Sequence, residues 1–494
     1  MSGRRVPSYA LSILFALASA ASAQTRAPAP PPPPQGLKVG DVDVTIGWRS
    51  RAEVWNWFEG SAGNSDYAFG HSQLRIGVGQ KRTQADWFVE LEQPTIFALP
   101  NDTVAPAPLG QLGLGGTYYV ANGNSENNAY LFLKQAYVQL KRLGPNNVRL
   151  GRFEFFDGVE ARSSDPLVTN IVQTRIAHRL ISNFGFTAVQ RTFDGGQYQW
   201  NSGSHNITAF GGRPTEGIFQ VNGMKEVDVQ TYYGAYNESV KTENGAGSLR
   251  VFGIGYIDTR STVLKTDNRP TAIRTADQND VKLGTWGADY VHVFHTKDAG
   301  TWDVLGWGVV QTGAWGTLRQ RAGAFVAEAG WQSASSALKP WISGGYSFGS
   351  GDSNPNDSTN GTFFQLLTTP RQYARFPFYN MMNNEDAYVT LNVRPVPKLA
   401  VRSELHALSL ADAADLWYSG GGVFQESTFG FSGRPSNGHT DLGTVWDISG
   451  DYPLTRSFTL SVYYACASGG SVINSIYSRN QNGQFGYVET TVHF

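Results

Sequence analysis

From Val42 to Val54 the even positions read Val42, Val44, Ile46, Trp48, Ser50, Ala52 and Val54, while the odd ones read Asp43, Thr45, Gly47, Arg49, Arg51 and Glu53. Alternate side chains of a β-strand face opposite sides, so one face here is apolar and the other charged. The division recurs with Leu74, Ile76 and Val78 around Arg75, and with Leu399, Val401 and Leu405 around Arg402, Glu404 and His406. Near the end, Leu442, Thr444, Trp446, Ile448, Gly450 and Tyr452 oppose Asp447, Ser449 and Asp451. Phe458, Leu460, Val462 and Tyr464 oppose Thr459, Ser461 and Tyr463, and Val488, Thr490, Val492 and Phe494 oppose Glu489, Thr491 and His493. Such strands build either a soluble sheet protein with the apolar face inward, or a transmembrane barrel with that face on lipid and the polar face on the lumen.

Three features favour the membrane version. The stretch from Val42 to Phe58 exceeds the about 9–11 residues a strand needs to cross a bilayer. Aromatic residues gather near strand ends, as in Trp55-Asn56-Trp57-Phe58 and Tyr463-Tyr464, which suits interfacial girdles. The last strand ends the chain with Phe494 in the apolar register.

The N-terminus agrees. Arg4-Arg5, the apolar stretch Tyr9–Ala18 and Ala21-Ser22-Ala23 form a secretory signal peptide over residues 1–23, with cleavage expected after Ala23. Residues 24–37 are a proline-rich spacer, read either as stiff polyproline II or as a disordered mature N-terminus. Residues 38–494 are the barrel. Cys466 is the only cysteine, so the exported chain has no internal disulfide. It is expected to be a free thiol facing lipid near the extracellular boundary. The uncharged runs 103–125 and 457–478 are broken by Gly, Ser, Asn or Pro and are not membrane helices. The location expected is the outer membrane of a Gram-negative bacterium, after Sec-type export.

Only 16% of the residues are charged, against about 25% in soluble domains. The 39 basic and 40 acidic residues leave a net charge of -1, which excludes a general attraction to nucleic acid. About 455 residues at roughly 24–30 per strand with its share of connections give 16 to 18 antiparallel strands, enough to enclose a water-filled lumen. The short turns 394–398 and 451–456 read as periplasmic. The long connections 93–128, 349–386 and 411–440 are expected outside or folded into the lumen.

Arg149-Leu150-Gly151-Arg152-Phe153, Gly185-Phe186, Val189-Gln190-Arg191-Thr192-Phe193-Asp194-Gly195 and Gly349-Ser350-Gly351-Asp352-Ser353-Asn354-Pro355 resemble the alginate-export family of outer-membrane barrels. Gly361-Thr362-Phe363-Phe364-Gln365 and Pro370-Arg371-Gln372-Tyr373 extend the resemblance, which covers about Val42 to Phe494. It implies a monomeric 18-stranded barrel whose arginine-rich constriction passes an anionic uronate polymer outward. Implied contacts are outer-membrane lipid and lipopolysaccharide, the barrel-assembly machinery through Phe494, and periplasmic export components.

The residues agree in sign. Arg149, Arg152, Arg162, Arg175, Arg179 and Arg191 are interspersed with Glu154, Asp157, Glu160 and Asp165. Arginines and carboxylates lining a lumen set up either a field that selects anions or a set of ion pairs that only braces the wall. Arg371 and Arg375, beside Phe363, Phe364, Tyr373, Phe376, Phe378 and Tyr379, form a second basic element suited to uronic sugars, or a packed external loop. Arg402 completes the constriction candidates. Asp165-Pro166 followed by Leu167, Ile171, Val172, Ile176 and Leu180 carries an N-cap, a first-turn proline and helical spacing. A short helix and an ordinary pair of strands are both open there. Asp352–Asp357 reads as an Asx-rich turn, and no metal or cofactor is expected. No nucleophile elbow, HExxH helix, Walker loop or dinucleotide fingerprint is present, so no enzyme is expected. The reading is a passive channel for anionic organic solutes, with export of a uronate polysaccharide such as alginate as cargo. Its alternatives are uptake of small organic acids, or a structural or adhesive barrel.

Overall fold

The computed structural model describes residues 37–494 apart from 162, 297–298 and 370–374. The expected signal peptide 1–23, all of the proline-rich spacer but Leu37, and the candidates Arg162 and Arg371 lie outside the described residues.

Eighteen antiparallel strands close into a barrel. They are β1 (Val42–Asn56), β2 (Asp66–Lys81), β3 (Ala85–Phe97), β4 (Phe132–Leu143), β5 (Asn146–Phe153), β6 (Phe193–Ser202), β7 (His205–Pro214), β8 (Val229–Thr242) and β9 (Gly245–Asp258). There follow β10 (Val281–Thr296), β11 (Gly300–Trp315), β12 (Leu318–Gln332), β13 (Trp341–Gly349), β14 (Asn384–Val396), β15 (Leu399–Ser409), β16 (Asp441–Pro453), β17 (Phe458–Gly469) and β18 (Asn482–His493). Each strand pairs with its sequence neighbours, and β18 closes on β1 with Gly47 opposite His493 and Asn56 opposite Gln484. Beyond β18 the terminal Phe494 exchanges two backbone hydrogen bonds with Ile46, at 2.9 and 3.1 Å, so the end of the chain finishes the seam.

The period of two is realised with the apolar face outward. Val54, Leu150, Val251, Leu405, Val462 and Val488 are exposed, while Glu53, His71, Glu92, Asp289, Glu404 and Asp447 on the opposite register are buried inside. This inversion is what a lipid solvent requires. Among the described residues no helix is long and apolar enough to cross a membrane; the strands do so. Cys466 is a free thiol opposite outward-facing Trp446, as expected. One position leaves its register. Gly443 has φ +131, and a Cβ there would lie 2.3 Å from the Ser468 carbonyl oxygen. The bulge at this point turns Leu442 inward, where it is fully buried instead of facing lipid.

Short turns join the strands at the end that carries both termini, and long connections join them at the other. By the convention of bacterial barrels the first end is periplasmic and the second extracellular. The connections 98–131, 350–383 and 410–440 match the expected long ones, but 154–192 is a fourth, where wall strands were an open alternative. The lumen also departs from a simple water-filled one. Its extracellular half is packed with loop aromatics, including Phe58, Phe376, Phe378 and Tyr477, against Trp55, Tyr67 and Phe485 of the wall. Long loops rich in Phe and Trp must bury those rings, and the lumen is the shielded space within reach.

Candidate substrate channel

The connection 154–192 folds into the lumen. Asp165 caps α1 (Pro166–Ile171), its carboxylate accepting from the Leu167 and Val168 amides at 2.8 and 3.1 Å with Pro166 in the first turn. A π-helical turn, Val172–Ile176, follows. The helix reaches the periplasmic end of β10, where the Asp165 carboxylate meets His295 at 2.6 Å. The chain then climbs back, held by Asp157, whose carboxylate accepts from the Leu180 and Ile181 amides at 3.1 and 2.9 Å. Leu367 donates to Leu180 and accepts from Ser182, both at 2.9 Å, which zips this segment to the 350–383 loop. Arg191 donates to the carbonyls of Gly421 (2.7 Å) and Val423 (3.1 Å), which ties it to the 410–440 loop.

These loops leave an outer and an inner space. The outer chamber, about 230 Å³, is lined by Trp57, Phe184, Phe219, Phe424, Phe429 and Phe431, with Arg434 as its one charged residue among the described residues. The inner space has two lobes of about 360 and 680 Å³ that share Thr174, Arg375, Arg402 and Asp451. The partition between outer and inner is thin. Phe184 lines the outer side while Gly185 and Phe186 line the inner, and Pro377 lines the outer while Arg375 lines the inner. Between them Phe376 is fully buried and stacks on Trp57, with centroids 5.5 Å apart and planes 6° from parallel.

The inner space is cationic. Its lining includes Arg49, Arg51, Arg175, Lys339, Arg375, Arg394 and Arg402, against Asp451 and Glu489. Arg49 donates to the Gly185 carbonyl at 2.8 Å and also reaches the Thr187 carbonyl. Arg51 pairs with Glu489 (2.7 Å) and Glu53 (3.3 Å), and its guanidinium lies 4.3 Å from the Phe186 centroid and 4.4 Å from that of Tyr487. Arg375 lies 5.4 Å from the Tyr463 centroid and bonds the Tyr487 hydroxyl. Burial pushes the His178 imidazole, on the same lining, down to about 4, so it adds no charge at neutral pH. Guanidinium groups beside aromatic faces offer a carboxylate two-pronged hydrogen bonds and a ring a stacking surface.

Of the sequence-derived arginines, Arg175, Arg375 and Arg402 line this space. Arg175 is 3.6 Å from Glu404 and 3.8 Å from Glu328, and Arg402 also bonds Glu404. Arg179 is buried over Trp307 at 4.8 Å, and Arg191 joins loops as described. Arg149 faces inward but packs on Tyr137 and Phe153 and bonds Gln139 at 2.8 Å, outside both chambers. Arg152 is a correction. It stands in the outward register of Leu150 and clasps Asp194 on β6 and the Met224 carbonyl, so it braces the wall near the extracellular rim and lines no pore. Arg49 and Arg51 were not among the candidates, although their places on the polar face of β1 mark them as inward. The Asp352–Asp357 segment is built of Asx turns, with Asp352, Asn354 and Asp357 side chains accepting from Asn354, Asn356 and Thr359 amides.

Solved structures share this fold. OccK9 (OpdG) of Pseudomonas aeruginosa superposes with a TM-score of 0.55 at 10% identity, covering 92% of this chain and 98% of that one. OccAB2 of Acinetobacter baumannii gives 0.55 at 9% identity, covering 91% and 98%. OpdK of Pseudomonas aeruginosa, solved with vanillate, gives 0.52 at 10%, covering 92% and 98%. Comparison with curated proteins finds no relative. The Alginate export family matches residues 111–486, which include the 154–192, 350–383 and 410–440 connections and most of the lining arginines. With a lipid-facing barrel around a lumen whose inner space is lined by arginines, this chain is a passive outer-membrane channel that belongs to the alginate export family.

Proposed function

We propose that the channel passes anionic organic solutes of the uronate class, as monomers or short oligomers, through the arginine-lined inner space. The observation that carries this reading is the excess of basic over acidic side chains on its lining, seven named residues against two, which persists when the carboxylates of Glu53, Glu328 and Glu404 paired with Arg51, Arg175 and Arg402 are counted. A guanidinium stays charged throughout the physiological range, and at a few ångströms one unit charge near a pore wall is worth on the order of 1–4 kcal/mol before screening. The rings of Phe186 and Tyr487 beside Arg51 supply an apolar face for a sugar ring. The partition at Phe184–Phe186 and Arg375–Pro377 supports solutes that fit one chamber at a time.

Export of a whole uronate polymer is the second reading, and the family's description favours it. It requires the partition to move aside across its full width. Purified channel in planar bilayers separates the two. On the first reading galacturonate added to either side blocks the current, and single-channel conductance is steady. On the second, only oligo-uronates block, and they do so best from the periplasmic side. A channel with no anion preference and no block by either contradicts both.

A further inference from the structure

The lipid-facing wall of β10, β11 and β12 carries a basic row at its extracellular edge. Strand pairing sets Lys282 beside Ala314 and Ala314 beside Arg319; one step inward, Gly284 lies beside Thr312 and Thr312 beside Arg321. All three basic residues are exposed, on the same outward face as Trp286 and Phe325. Lys282 pairs with Asp280 at 2.8 Å, and Arg319 donates to the Ser358 hydroxyl at 3.3 Å. Arg321 has no ion pair among the described residues. The connection above, Gly316–Thr317, is the shortest on that side of the barrel.

Directly below the row lies an apolar groove of about 490 Å³, lined by Trp286, Gly308, Val310, Gly323, Phe325 and Phe348. Gly308 makes the trough. A Cβ there would have no neighbour nearer than 3.8 Å, so a larger side chain would occupy the groove. Arg321 stands two residues above Gly323 on the same strand face, about 7 Å away along the strand. An acyl chain in the groove therefore brings its headgroup to the arginines. Two strand spacings separate Lys282 from Arg319, about 10 Å, which is wider than one phosphate.

The structure assigns this face as a binding site for one molecule of a bis-phosphorylated, multiply acylated glycolipid of the outer leaflet, the lipid A portion of lipopolysaccharide. One acyl chain fills the groove, and the phosphates take charge-assisted hydrogen bonds from Arg319, Arg321 and Lys282. The face looks away from the lumen, so the inference is independent of the transported solute.

Native mass spectrometry of the detergent-solubilised channel tests it, with lipid A, monophosphoryl lipid A and phosphatidylglycerol as probes. The intact channel should retain one lipid A in preference to phosphatidylglycerol, and removal of one phosphate should weaken it. An Arg319→Ala/Arg321→Ala variant should lose about tenfold or more in affinity. Gly308→Leu should also weaken binding with both arginines in place, which separates the groove from the charges. Both variants change lipid-facing residues, and heat-modifiable gel mobility verifies their folding. Equal retention of phosphatidylglycerol, or lipid A binding unchanged by both variants, overturns the assignment.

Discussion

Arg49 of the barrel wall donates a 2.8 Å hydrogen bond to the carbonyl of Gly185, in the partition between the two chambers. The wall thereby holds a loop residue whose own flanks are Phe184 and Phe186. Arg49→Ala removes this bond and the one to Thr187, each charge-assisted contact being worth about 1.5–3 kcal/mol. The partition should loosen, and single-channel recording should show larger, flickering openings. Conductance identical to that of the unmodified channel would contradict the tether.

Arg191 makes the corresponding tie between loops, through the carbonyls of Gly421 and Val423. Arg191→Ala should free the 410–440 loop from the 154–192 connection. Its signature is faster limited proteolysis at Gly420–Gly430, with ion selectivity changed less than conductance. Unaltered cleavage would show that the aromatic packing alone holds the loops.

Arg152 should behave in the opposite way. It clasps Asp194 in the outward register, so Arg152→Ala should cost about 1–3 kcal/mol of stability and leave the reversal potential in a salt gradient where it was. A shift of that potential would return Arg152 to the lumen.

Arg149 and Arg152 show what was legible in the sequence. The alternation of β1, β15 and β18 fixes face and register because lipid on one side and lumen on the other impose a period of two. The same period already separates Arg149 from Arg152, since three residues apart on a strand means opposite faces. The helix after Asp165 carries its own local code in the cap and the proline, and it forms. The path of Phe184–Phe186 has no such code. It depends on Arg49 and on strand-like pairing with Leu367, partners more than a hundred residues away. Loops of that kind are placed by tertiary packing, so a partition built from two of them is invisible to local pattern.

In the extracellular loops, burial pushes the Asp352 carboxyl up to about 6, and the neighbouring Asp415 and Asp357 charges push in the same direction. A carboxyl whose value is higher in the folded than in the unfolded chain binds its proton more readily when folded, so the loop gains stability as pH falls through 6 and loses it as pH rises. Limited proteolysis of the 350–362 segment should be slower at pH 5 than at pH 7.5, and Asp352→Asn should abolish the difference. Faster cleavage at pH 5 would reverse the sign of the argument.

The central claim is that the basic lining of the inner space selects anions. The most direct measurement is the reversal potential of single channels in a potassium chloride gradient, before and after Arg375→Ala and Arg402→Ala are combined. Removing two of the seven basic groups should move the permeability ratio toward cations by about fivefold or more, from the size of a single wall charge. A folded double variant that keeps both the ratio and the block by galacturonate would contradict the claim, leaving these arginines as braces of the wall.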